Sequence, residues 1–179
     1  MRIRVAGRAL ETPKGIRPTQ AHVRRSLFDR LGNEILGTRM LELFAGSGAV
    51  GIEALCRGAA FVVFVEKWEK GVMAITENLR RLGLSDRARI MKEDAASALR
   101  ELERKRERFD WCFADPPYDF VDIERCLFGL HQIISPGGIF ILERSAREGM
   151  PDLVGFEKED TWRMRDVSLG IYRRVSGQF

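Results

Sequence analysis

Residues Asp115-Pro116-Pro117-Tyr118 follow a short apolar run, Phe109-Asp110-Trp111-Cys112-Phe113-Ala114, that reads as a buried strand. The exocyclic amino group of a nucleobase is a poor nucleophile, because its lone pair is delocalised into the ring. Two acceptors, the Asp115 carboxylate and the Pro116 carbonyl, can take its two N–H bonds. They would then turn the lone pair toward an electrophile and disperse the charge that develops. The prolines, Pro116 and Pro117, stiffen the loop. The ring of Tyr118 can stack on an extruded base. No strong base is needed, since the amine loses its proton after it has been alkylated.

About seventy residues earlier a second strand, Met40-Leu41-Glu42-Leu43-Phe44, runs into Ala45-Gly46-Ser47-Gly48-Ala49-Val50-Gly51. The GxGxxG spacing suits a dinucleotide, whose pyrophosphate sits on helix-end N–H groups, and any other ligand that approaches the backbone closely. Glu66 ends the next strand, where a carboxylate can accept both hydroxyls of a ribose. Charge separates the candidate ligands. Four acids, Glu42, Glu66, Asp94 and Asp115, fall at strand ends. They would repel a pyrophosphate and attract the sulfonium and ammonium of S-adenosylmethionine (SAM).

The elements that must position these residues alternate strand and helix from residue 40 onward. Strands are expected at Met40–Phe44, Phe61–Val65, Ala88–Met91, Asp110–Ala114 and Ile139–Leu142. Helices between them carry Val50, Ile52 and Leu55; then Met73, Ile75, Leu79 and Leu82; then Ala95, Ala98, Leu99 and Leu102. A further helix carries Ile123, Leu127, Leu130 and Ile134, before a turn at Ser135-Pro136-Gly137-Gly138. The tail reads as a hairpin, Phe156–Met164 against Val167–Val175. This alternation predicts an α/β protein, a mostly parallel, doubly wound sheet of seven strands whose hairpin closes one edge, with ligands at the carboxyl ends of the strands. Ahead of it, residues 1–18 suggest a short hairpin, and Thr19 can cap a helix buried through Val23, Leu27, Phe28 and Leu31.

The 179 residues, 45% hydrophobic and 31% charged, suit one domain with a full core, divided into a basic extension, 1–39, and a catalytic body, 40–179. No apolar run is long enough to span a bilayer, and the charged start Met1–Val5 lacks a secretory apolar core, which predicts a cytoplasmic protein without a membrane partner. Cys56, Cys112 and Cys126 have no metal-ligand spacing and read as buried hydrophobes; no metal is expected. His22 and His131 are isolated. The charge is uneven: residues 1–39 hold nine Lys/Arg against three acids, whereas the rest hold 21 against 23. That basic arm, with Arg17, Arg24 and Arg25 around its helix, predicts a polyanionic partner, most simply nucleic acid.

The run Leu41–Leu55, the steps Phe64-Val65-Glu66-Lys67 and Glu93-Asp94-Ala95, and Phe113–Tyr118 resemble the motifs of the RsmD family. The resemblance covers nearly the whole chain, including Arg17-Pro18-Thr19. It implies a class I, Rossmann-like SAM-dependent methyltransferase acting on the exocyclic amino group of a guanine in small-subunit (16S-type) ribosomal RNA, free or in an assembling subunit. It implies that Glu42, Gly46 and Gly48 face the methionyl part of SAM, that Glu66 holds the ribose and that Asp94 contacts the adenine amino group. Phe44, Ala45, Lys67 and Ala95 complete the expected cofactor set, and Asp115 to Tyr118 hold the target base. After Arg-Pro-Thr the family usually reads Thr-Asp-Arg-Val-Arg-Glu; here Gln20-Ala21-His22-Val23-Arg24-Arg25 keeps only Val23 and Arg24. Asp-Pro-Pro-Tyr also serves DNA adenine or cytosine methylation, but no large target-recognition domain is evident. A glutamine methyltransferase would carry Asn at position 115. The acid cluster disfavours an NAD-dependent dehydrogenase, and the intact Asp115–Tyr118 loop disfavours a silent RNA-binding module.

Overall fold

The computed structural model describes residues 2–5, 7–12, 15, 20–117 and 122–176, without the side chains of 2–4 and 8. Strands β1 (Arg2–Val5) and β2 (Arg8–Glu11) form an antiparallel hairpin. Helix α1 (Ala21–Leu31) follows, with Gln20 at its N-cap. The expected cap, Thr19, lies outside the described residues.

Next come β3 (Arg39–Leu43), α2 (Ala49–Cys56), β4 (Phe61–Val65), α3 (Glu69–Leu82), β5 (Ala88–Met91), α4 (Ala95–Arg104) and β6 (Phe109–Ala114). After them stand α5 (Ile123–Cys126), α6 (Leu130–Ile133), β7 (Ile134–Ser145), β8 (Phe156–Met164) and β9 (Val167–Arg174). The seven-stranded sheet has the order β5-β4-β3-β6-β7-β9-β8. Its first five strands are parallel, and β9 runs antiparallel to both β7 and β8. The terminal hairpin therefore closes the β7 edge, as its sequence pattern predicts.

The parallel strands are apolar on both faces because both faces are covered. Met40, Val62, Phe64, Trp111, Phe113, Ile139 and Ile141 pack with α1, α2 and α3. Their alternates, Leu41, Leu43, Val63, Val65, Cys112, Phe140 and Leu142, pack with α4, α5 and α6. Burial also pushes the Cys126 thiol up to about 11 and raises that of Cys112, in keeping with inert core cysteines.

The expected helix through Ile134 is corrected. It is two four-residue turns interrupted at Gly129, whose φ of 88° no β-carbon would favour. Ile134 already belongs to β7, and Ser135–Gly138 is a register shift within that strand, not a turn before it. The backbone is tightly packed there: a Cβ on Gly138 would lie 2.8–2.9 Å from Ile134 Cγ2, Ser135 O and Asp110 O. Among the described residues no helix is long and apolar enough to cross a membrane.

Candidate functional site

Strands β4 and β5 extend the sheet to one side of β3, and β6 turns back to the other side. The sheet order thus reverses between β3 and β6, and at such a switch point open α/β sheets take their ligands in a crevice at the carboxyl ends. The glycine loop leaves β3 on one wall, and Asp115 leaves β6 on the other.

The loop is built from backbone that ordinary residues avoid. Phe44, Gly46 and Gly48 all have positive φ, at 55°, 56° and 73°. For a residue as bulky as Phe44 this conformation is costly and is sustained by its surroundings. The Ala45 N–H donates to Val65 O at 3.0 Å and the Gly48 N–H to Ala45 O at 2.7 Å. Gly51 is required by packing: a Cβ there would stand 2.5 Å from Phe64 and 2.7 Å from the Glu42 carboxylate.

Glu42 lies beneath the first turn of α2, where its carboxylate accepts the N–H of Gly51 at 2.8 Å and of Val50 at 3.3 Å. Burial, opposed by these two N–H groups and aided by the charge of Asp115, pushes its pKa up to about 8. Glu66, 7% exposed, accepts the N–H of Gly46 at 2.7 Å and of Trp68 at 2.8 Å. Glu66 therefore ties the end of β4 to the glycine loop, a structural duty its position in the sequence does not reveal. We expect Glu66→Ala to weaken SAM binding about ten- to a hundredfold, the size of a lost charge-assisted hydrogen bond, and also to cost about 1–3 kcal/mol of stability through the two orphaned N–H groups. Calorimetry and urea unfolding on the same variant measure both. Unchanged SAM affinity in the folded variant would remove Glu66 from the site.

Asp94 is the N-cap of α4, accepting the Ser97 N–H at 3.0 Å and the Ser97 hydroxyl at 2.7 Å. These bonds lower its pKa. Ala95 is the buried first residue of that helix, and Lys67 is exposed, its ammonium 5.9 Å from the Trp68 ring. On the opposite wall Asp115 is half-buried, Pro116 buried and Pro117 exposed; Tyr118 lies outside the described residues.

Of the expected RNA contacts, Arg25 is exposed and Arg17 lies outside the described residues. Arg24 is a correction. It is 1% exposed and donates to Glu53 of α2 at 3.3 Å, in a triad completed by Arg57, which reaches Glu53 at 2.9 Å. Its place on the buried stripe of α1, beside Val23, makes it a staple between helices and not a surface for RNA.

Sequence reasoning missed three residues. Asn78 of α3, fully buried, accepts the Glu11 N–H at 2.8 Å and donates to Glu11 O at 3.0 Å and Ser47 O at 3.3 Å, clamping β2 to the glycine loop. Trp68 stands 63% exposed just beyond Glu66. Glu143, one residue past the expected strand Ile139–Leu142, is a fifth carboxylate near the carboxyl ends of the strands and is buried within β7. Its signal was available: a lone acid closing an apolar strand, as Glu66 closes Phe61–Val65.

The N–H groups that would otherwise face a pyrophosphate, at Gly46, Val50 and Gly51, are taken by Glu66 and Glu42. A helix start so occupied by carboxylates fits a cationic ligand and not a dinucleotide. The sequence pattern of the family described as conserved hypothetical protein 95 matches residues 2–173.

The chain belongs to this family.

YlbH of Bacillus subtilis (strain 168), named provisionally as an rRNA methyltransferase, is 32% identical over 91% of this chain and 92% of its own length. Ribosomal RNA small subunit methyltransferase D of Escherichia coli (strain K12) is 37% identical over 63% of this chain, a stretch that is 56% of that protein. The solved structure of Escherichia coli yhhF, described provisionally as a methyltransferase, superposes with a TM-score of 0.87 and 28% identity, covering 99% of this chain and all of that one. The conserved hypothetical protein 95 family shares the class I fold of SAM-dependent methyltransferases, a fold also solved with the cofactor or its demethylated product bound. The Rossmann-like, seven-stranded architecture expected from the sequence is the architecture observed.

Proposed function

We propose that the protein transfers a methyl group from SAM to the exocyclic N2 of a guanine in small-subunit ribosomal RNA. The observation that carries this reading is the pairing, across one crevice, of a glycine loop whose helix-end N–H groups are held by Glu42 with the Asp115-Pro116 acceptors one strand away. When bound, SAM supplies an electrophilic methyl group on a sulfonium.

The residues of this chain do the rest. Glu66 and the backbone of Phe44 to Gly48 cradle the cofactor, with Lys67, Asp94 and Ala95 along its adenine side. Glu42 offers negative charge beneath the methionyl end. Asp115 and the Pro116 carbonyl accept the two amino N–H bonds, so the nitrogen lone pair faces the methyl group. Pro117 and Tyr118 complete the base pocket. Arg17 and Arg25 belong to the basic arm that meets the RNA phosphates. A target base must leave its stack to reach such a crevice, which suits looped or single-stranded RNA, free or in an assembling subunit in the cytoplasm. The names of the relatives support ribosomal RNA as substrate class.

The test offers the enzyme labelled SAM with small ribosomal subunits stripped of methylation, and in parallel with unmethylated genomic DNA. Digestion to nucleosides is expected to place the label in N2-methylguanosine from RNA. Label confined to methyladenine or methylcytosine from DNA would overturn the reading in favour of a DNA amino-methyltransferase.

A further inference from the structure

The acceptors at Asp115 and Pro116 leave one matter of chemistry open. Guanine, adenine and cytosine each present an amino group with two N–H bonds, so two acceptors on that group cannot tell them apart. The bases differ at the adjacent ring nitrogen. Guanine N1 carries a proton and donates; adenine N1 and cytosine N3 carry a lone pair and accept. A guanine-specific site therefore needs a third acceptor beside the first two.

The fold brings one there. In the parallel ladder of β6 and β7, Ala114 pairs with Leu142. Glu143 is the next residue of β7, and Asp115 is the first residue beyond the end of β6, a strand about 4.8 Å from β7 in the pairing direction. On its other side Glu143 pairs with Leu169 of β9, so its backbone is locked in the sheet. Side chains alternate along a strand, and Ile139 and Ile141 lie on the face that carries Trp111, Phe113 and α1. Glu143 continues that series. Glu42 continues it on β3, two residues after Met40, and the charge of Asp115 is felt at Glu42. Glu42 and Glu143 thus share one face of the sheet, and Asp115, just past the end of β6, comes between them in the strand order β3, β6, β7. Glu42 is beneath the glycine loop, and Glu143 is on the side of Asp115 away from it. Glu143 is only 4% exposed. A carboxylate at that depth is retained at a cost in desolvation that an apolar residue would avoid.

We infer that Glu143 selects guanine, its carboxylate accepting the N1–H of the extruded base while Asp115 and Pro116 hold the amino group. The same carboxylate faces a lone pair when adenine or cytosine enters, and repels it. This inference rests on the proposed amino-group chemistry at Asp115.

The experiment first locates the methylated guanine by mass spectrometry of the RNA product. It then compares RNAs carrying either guanine or 2-aminopurine at that position. 2-Aminopurine keeps the amino group but has a lone pair at N1. The wild-type enzyme is expected to prefer guanine by about ten- to a hundredfold in kcat/KM, the size of a hydrogen bond to a charged group. Glu143→Gln, whose amide can donate to that lone pair, is expected to reduce the preference to within about threefold. Its affinity for S-adenosylhomocysteine, read by calorimetry, should stay within about twofold of wild type. A Glu143→Gln enzyme that keeps the full preference overturns the inference. So does a wild-type enzyme that methylates both RNAs equally, a comparison that needs no variant to fold. Failure of the underlying reading looks different: the wild-type enzyme would then label no guanine in RNA at all.

Discussion

Asp115→Ala will slow methyl transfer by about 10²–10³-fold while leaving most of the affinity for SAM. The size is that of removing one preorganised group which stabilises developing charge. Asp115 leaves the end of β6, on the opposite side from the glycine loop, and the hydrogen bonds that shape that loop belong to Glu42 and Glu66 instead. Losing Asp115 also removes a charge that raises the Glu42 pKa, so Glu42 ionises more readily in the variant and compensates part of the lost attraction for a cation. Single-turnover rates with labelled SAM, alongside calorimetry, separate the two quantities. Near-wild-type turnover would show that the amine is oriented by something else.

The cofactor-free protein will lose stability as pH rises from about 4.5 to about 8, and Glu42 will be the cause. Its carboxyl, ordinarily at 4.5, is pushed up to about 8 by burial in the fold. Between those values the folded chain holds a proton that the unfolded chain has released, so folding is progressively disfavoured as pH climbs. Below about 4.5 both states are protonated and the full stability is present; above about 8 it is gone. Each pKa unit is worth about 1.4 kcal/mol, so the window spans about 4–5 kcal/mol. Urea unfolding across this pH range measures it. Glu42→Gln, neutral at every pH, should flatten that slope. A variant with the same pH dependence as wild type would mean that another group is responsible. The same physics links the proton to the ligand: a cation bound above Glu42 favours its ionised form, so SAM binding at neutral pH should release a proton.

Much of the site was legible because it is written in consecutive residues. The glycine loop from Gly46 to Gly51, the acid closing Phe61–Val65 and the Asp115-Pro116-Pro117 turn are local signals, and a period of two or of 3.6 places each on a strand end or a helix start. The parallel sheet followed from the alternation of those elements, and the two-faced burial of Phe61–Val65 from its unbroken apolar run. The helix expected through Ile134 failed for a local reason too weak to read: one glycine at 129 ends a turn that the apolar spacing alone would continue.

Tertiary structure decided the rest, because those facts depend on which distant segment lies opposite. Arg24 is as basic as Arg25 in the sequence; only the packing of α1 on α2 sets Glu53 against it and removes it from the surface. Glu66 reads as a ligand-facing acid, yet one of its oxygens holds the N–H of Gly46, twenty residues away, and the other that of Trp68. Asn78 is one polar residue of an amphipathic helix until β2 and the glycine loop meet on either side of it. Glu143 joins Asp115 only because β7 pairs with β6 in one register, and a slip of a single residue would turn it to the opposite face of the sheet. Short-range patterns carry the proposed chemistry, since reactive groups and the turns that expose them are written in consecutive residues. The tertiary structure decided which of its charges face the crevice and which hold it in shape, since burial and partnership are set by contacts between residues far apart in the chain.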